Sequence, residues 1–164
     1  MKQLIAAVAA RLGRCAGRLP LDYEQMVILD AESLTEAGIK EAYGMLMPIL
    51  KKYLANPEAL VEEIDCDLPS YSVVSAGVVY EIYSPALQMS EGDAWGRATY
   101  AFFAIINRQL KASAVKFYAI DNGNGLGGMF LSERQAAAAC RNLKAKADWP
   151  YLPTLASPWY GQHH

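Results

Sequence analysis

The chain has 164 residues, 53% of them hydrophobic, enough to bury one core and too few for two. Its formal charge of −2 and the lack of any basic run interleaved with aromatics leave no footprint for nucleic acid. No apolar stretch reaches the roughly 18 residues of a bilayer span. The longest, residues 98–106, is closed by Arg97 and Arg108, so a soluble, cytoplasmic domain that stays off membranes is expected.

The first element covers residues 2–18, where Leu4, Ile5, Val8, Leu12 and Cys15 recur at spacings of three and four and predict a helix. Lys2, Arg11, Arg14 and Arg18 make its other side basic, and the apolar part ends at Arg11, too soon for a secretory signal. After Pro20, residues 25–29 read as a short edge strand or an extended lead-in. Ser33 or Thr35 then caps a helix through Leu54 with Ile39, Tyr43, Leu46, Leu50 and Tyr53 on one side. Pro48 lacks a backbone donor and crowds the preceding turn, so a kink or break is expected near residues 44–47.

Asn56 followed by Pro57 reads as a cap and a first-turn proline, predicting a short helix over residues 58–64. It runs into the acidic residues Glu62, Glu63, Asp65 and Asp67. Asp65 and Asp67 form a DxD pair of the kind that suits a hard cation. With no phosphate-binding partner nearby the run reads as a solvated acidic turn, and no metal site is expected. Residues 70–83 are rich in Val and Tyr and predict β-structure, turned or bulged at Ala76 and Gly77.

Ser90, with Asp93 three residues on, caps the longest apolar helix, residues 94–110. Trp95, Ala98, Phe102, Ile105, Ile106 and Leu110 supply its buried face, and Gly96 would let a neighbouring backbone approach closely. Residues 115–120 form a β-branched and aromatic strand, and Met129, Phe130 and Leu131 read as the returning strand of a hairpin. Ser132 and Gln135 then make a capping box for a helix over residues 133–147. Gly123, Gly125 and Gly128 fit GxGxxG directly after a strand, but a dinucleotide fingerprint needs its helix to open inside the glycines, and here it opens only at Ser132. The glycines therefore read as a hairpin connection, and no cofactor is expected. A calcium loop fails because Gly123 and Gly125 stand where side-chain oxygens are required.

The element order predicts an α+β fold: a single domain over residues 1–147, with a mainly antiparallel sheet of about four to five strands and helices packed on one face. Residues 148–164 hold three prolines together with Trp149, Tyr151, Trp159 and Tyr160. This segment is irregular yet too apolar to be idle, and is expected to pack on the domain or to meet a partner.

Function is constrained mainly by what the interior lacks. The only histidines are His163 and His164, and Cys15, Cys66 and Cys140 are scattered, so neither an imidazole-based nucleophile nor a usual zinc site can be assembled inside the domain. Residues 53–96 carry a local charge of −8 with no Lys or Arg, and residues 97–147 a local +6. The folded chain either neutralises these segments against each other, the commoner outcome, or displays them as surface fields. The first reading is a non-enzymatic protein-binding domain, for instance a bacterial antitoxin or immunity-type protein, that meets a basic partner through Glu62, Glu63, Asp65 and Asp67 and anchors it with Trp149, Tyr151, Trp159 and Tyr160. The alternative is a small-ligand or enzyme domain whose site is the loop of residues 121–128, with Asp121, Asn122 and Asn124 as its polar groups. A homo-oligomer built on the C-terminal segment or on a sheet edge is the third.

Overall fold

The computed structural model describes residues 21–164. The basic helix expected over residues 2–18, and Cys15 with it, lies outside them. In chain order the elements are β1 (Val27–Ile28), α1 (Ile39–Leu50), β2 (Leu60–Asp65), β3 (Ser70–Ser75), β4 (Val78–Tyr83), α2 (Glu91–Gln109), β5 (Lys116–Ile120), β6 (Gly127–Leu131) and α3 (Glu133–Asn142). The strands form two antiparallel sheets of three, a hairpin sheet in the order β1-β6-β5 and a meander sheet in the order β2-β3-β4. This replaces the expected single sheet of four to five strands. The division follows from α2, which intervenes between β4 and β5 and packs against both.

Helix α2 starts where the sequence signals it. Ser90 Oγ accepts the Asp93 amide N–H at 3.2 Å and the Asp93 carboxylate accepts the Ser90 N–H at 3.0 Å, satisfying two of the donors a helix start leaves open. Its inner face buries Ala98, Phe102, Phe103, Ile105 and Ile106. Phe103 stacks on Phe117 of β5 at 4.8 Å, and Phe117 meets Phe130 of β6 at 4.6 Å. Each such side chain contributes about 1.5–3 kcal/mol on burial, so this aromatic stack is the main tie between α2 and the hairpin sheet. The close approach that Gly96 permits is made by the Tyr160 ring, a side chain where a backbone was expected.

The hairpin sheet is covered on both faces, which corrects the one-face expectation. Phe117 and Ala119 turn toward α2, while Tyr118, Ile120, Met129 and Leu131 pack on Ala136 and Ala139 of α3 together with Leu21 and Leu143. Strand alternation makes this possible, since neighbouring residues face opposite sides and here both sets are apolar. Helix α3 ends at Asn142, short of residue 147. Leu143 turns extended to stay buried, and beyond it Lys144, Ala145 and Lys146 give the helix no further apolar face.

Three further expectations are corrected. The helix predicted over residues 58–64 is strand β2, all six residues of which pair with β3, from Leu60 opposite Ser75 to Asp65 opposite Ser70; a six-residue ladder outweighs a two-turn helix that had only its cap in its favour. The cap is Asp30, in place of Ser33 or Thr35, and it opens a short helical turn, Ala31–Ser33, ahead of α1: its Oδ1 accepts the Glu32 and Ser33 N–H groups at 2.9 and 3.3 Å. The break comes at Glu36 and Ala37, which leave helical geometry with Ala37 at φ 62°, and not at residues 44–47. Pro48 sits two residues before the end of α1, where its missing donor costs one bond of the last turn and leaves the helix continuous. The β3–β4 turn falls where expected, with Ala76 and Gly77 at φ 44° and 76°, both positive as a two-residue hairpin turn requires. No helix among the described residues is long and apolar enough to cross a membrane.

Candidate functional site

On the meander sheet the inner face is closed, and no element among the described residues covers the outer face. Leu60, Tyr71, Val73 and Ile82 are buried against the α1 and α2 core. Glu62 also turns inward, against the usual polar-out rule, and the reason is local. Helix α1 begins at Gly38, which has no side chain to cap it. Glu62 Oε1 accepts the Lys40 N–H at 2.9 Å and the Tyr71 hydroxyl at 2.6 Å, while Tyr71 Oη accepts the Ile39 N–H at 3.4 Å. A carboxylate from the sheet thus satisfies the helix start and faces its positive end. Burial first, and the Glu62 carboxylate second, push the Tyr71 phenol well above its ordinary range, so it remains a donor. One carboxylate oxygen of the half-buried Glu62 is accordingly engaged at the start of α1.

The register fixes the outer face. Val61, Val74 and Val79 lie opposite one another across the three strands, and Glu63, Ser72 and Glu81 form the next row. Val61 is 55% exposed and Val79 61%, an apolar row left in water. Ser72 Oγ donates to Glu63 at 3.2 Å. Asp65 uses Oδ1 to accept the Asp67 and Leu68 N–H groups at 2.9 and 3.1 Å, shaping the β2–β3 turn, and Asp67 projects from that turn. The ion pairs among the described residues are Arg108–Glu58 and Lys116–Glu133, so none of them neutralises Glu63, Asp65, Asp67 or Glu81. Arg97 comes closest in role, but its guanidinium donates to the Glu81 backbone carbonyl at 2.8 and 3.0 Å. Of the four acids singled out in the sequence, Glu63, Asp65 and Asp67 sit on this open side; Glu81 and the valine row join them unannounced. The Ala76 and Gly77 turn could have supplied that row, because it sets Val74 against Val79.

A second region gathers the glycine loop and the C-terminal segment. Tyr151 forms a bridge with Ala119 at the β5 edge through bonds of 2.8 and 3.0 Å, and its hydroxyl donates to the Asp121 carbonyl at 3.0 Å. The Tyr160 ring lies over Gly96, where a Cβ would collide with it. Its hydroxyl donates to Asp93 Oδ1 at 2.7 Å, beside Ser157 Oγ at 3.2 Å. The hydrogen bonds from Ser90 and then Tyr160 hold the Asp93 carboxyl down to about 2. Asn122 bonds Gln162. Trp95, Asn122, Gly123, Tyr151, Trp159 and Tyr160 line a cleft of about 230 Å³ here. Asp121 and Asn124 do not reach it; Asp121 Oδ1 instead accepts the Asn122 N–H at 2.8 Å. Trp149 donates to the Leu143 carbonyl at 3.0 Å and meets His163, and Trp159, 52% exposed, lies against His164.

A further concave region of about 370 Å³ is lined by Leu21, Gln25, Lys52, Tyr53, Met129 and Gln135, and another, of about 350 Å³ at the C-terminal end of α2, is a clamp. Glu58, Arg108 and Ser75 bond one another, and Gln109 accepts the Glu58 N–H at 2.8 Å and the Tyr43 hydroxyl at 3.2 Å. Of the GxGxxG glycines, Gly128 lies beneath the Phe117 ring, Gly123 takes φ 57° in the turn that also holds Gly125, and β6 follows where a phosphate site would need a helix. No cluster of three or more metal-ligating side chains occurs among the described residues. No family model, curated protein or solved structure matches the chain.

Proposed function

We propose that this chain is a non-enzymatic protein-binding domain that contacts a basic partner through the outer face of the meander sheet. The observation that carries the reading is the Val61, Val74 and Val79 row, exposed at Val61 and Val79 and half-buried at Val74, beside Glu63, Glu81, Asp65 and Asp67, whose carboxylates take part in no ion pair among the described residues. An apolar strip with a rim of one sign combines burial energy with steering and register for a partner of the opposite sign. An immunity-type protein masking a basic surface is the concrete form. Co-purification from the native host followed by titration tests it. The E63K/E81K double variant should weaken the complex at least tenfold, about 1.4 kcal/mol, and rising ionic strength should weaken the wild-type complex. A complex indifferent to both would refute the proposal.

A second reading is favoured by the aromatic cleft, where Trp95, Tyr151, Trp159 and Tyr160 converge with Asn122. It would hold a small planar or apolar-faced ligand against Trp159. Trp159 fluorescence during a ligand screen, with Asn122→Ala as control, tests it.

A further inference from the structure

The open face has a shape as well as a charge. Down its centre β3 presents Ser70, Ser72 and Val74, while β2 presents Val61, Glu63 and Asp65 on one side and β4 presents Val79 and Glu81 on the other. At Ser72 a short side chain lies between Glu63 and Glu81, a shallow trough over β3 that opens onto the level Val61, Val74 and Val79 row. The outward line of β3 from Ser70 to Val74 runs about 13 Å at strand rise, the length of about nine residues of helix. The hairpin sheet, also three strands wide, shows how this chain fills such a surface: its second face is covered by an amphipathic helix, α3, through Ala136 and Ala139. The trough differs in the charge of its walls, which a helix must match.

We infer that the trough over β3 receives a basic amphipathic helix of the partner protein, its apolar stripe over Ser72 and Val74 and its Lys or Arg side chains reaching Glu63 and Asp65 on one wall and Glu81 on the other. The inference rests on the protein-binding reading and adds the partner's secondary structure and seat. An extended basic strand added to the β2 edge would satisfy the same charges without using the trough, and the two differ in what they require of Ser72.

The test uses the full chain with two synthetic peptides of about 18 residues, long enough to form a helix. One carries a leucine stripe at helical spacing flanked by lysines; the other has the same composition scrambled to destroy the stripe. Calorimetry should show the striped peptide binding at least tenfold tighter, with a gain of helical circular dichroism. Ser72→Tyr, which fills the trough without changing its charge, should weaken that binding at least tenfold. Equal binding of the two peptides and indifference to Ser72→Tyr would overturn the helix and leave the acidic-surface reading standing. Binding of both peptides unchanged by the E63K/E81K pair would overturn both.

Discussion

The two sheets have the same number of strands and the same antiparallel pairing, yet one is sealed and the other is not. The hairpin sheet has α2 on one face, α3 on the other and Tyr151 bridged to its β5 edge. The meander sheet has its inner face against α1 and α2, while no element among the described residues covers its outer face, where Val61 and Val79 are more than half exposed. Valines left uncovered beside carboxylates that form no ion pair among the described residues mark the surface that we propose meets a partner. Where it looks inward, even glycines are spent on contact, as Gly128 is beneath Phe117.

That contrast can be broken or sharpened by mutation. Phe117→Ala, in the sealed sheet, should destabilise the fold by about 4 kcal/mol, read as a fall in the urea midpoint; a loss under about 1 kcal/mol would mean that the aromatic stack is not the core's main tie. Glu62→Ala should cost about 2 kcal/mol, because it strands the Tyr71 hydroxyl and the α1 start without their acceptor; no change would place Glu62 among the free surface acids after all.

Strong acid should loosen the C-terminal segment through Asp93. The Asp93 carboxyl is depressed from an ordinary 3.8 to about 2, so its contribution is complete above the ordinary value and disappears as pH falls through about 2. Trp159 fluorescence should therefore report release of the segment in that window, and Asp93→Asn should shift or abolish the step. The smallest effect is expected at Val79→Ser, within about 0.5 kcal/mol of wild type, although it should weaken the partner complex. A core-sized loss there would show that the face is covered.

The legible parts of the fold were those with two signals in agreement. Ser90 with Asp93 and Ser132 with Gln135 announced α2 and α3 through reciprocal caps, and Ala76 with Gly77 announced the meander turn. Strand β2 was hidden because its pattern is inverted: Val61 points out to the open face and Glu62 points in to cap a helix 22 residues earlier. The alternation that normally identifies a half-buried strand was therefore reversed by the residue with a special task. The Ala37 break was equally silent, since an alanine at φ 62° carries no local signature. The candidate surface was half legible. Its acids stood out as a run without cations, but Glu81 and the valines become neighbours only through register, which is set by pairing across the chain.

The reach of Glu62 from strand to helix also bears on how the chain acquires its shape. A helix whose opening amides are satisfied by a distant strand gains that satisfaction only once the strand has been laid down, so α1 and the meander sheet should open and close as one unit. Hydrogen exchange would record the Ile39 and Lys40 amides exchanging in step with those of β2 and β3, coupling two segments that are separated along the backbone into a single cooperative block.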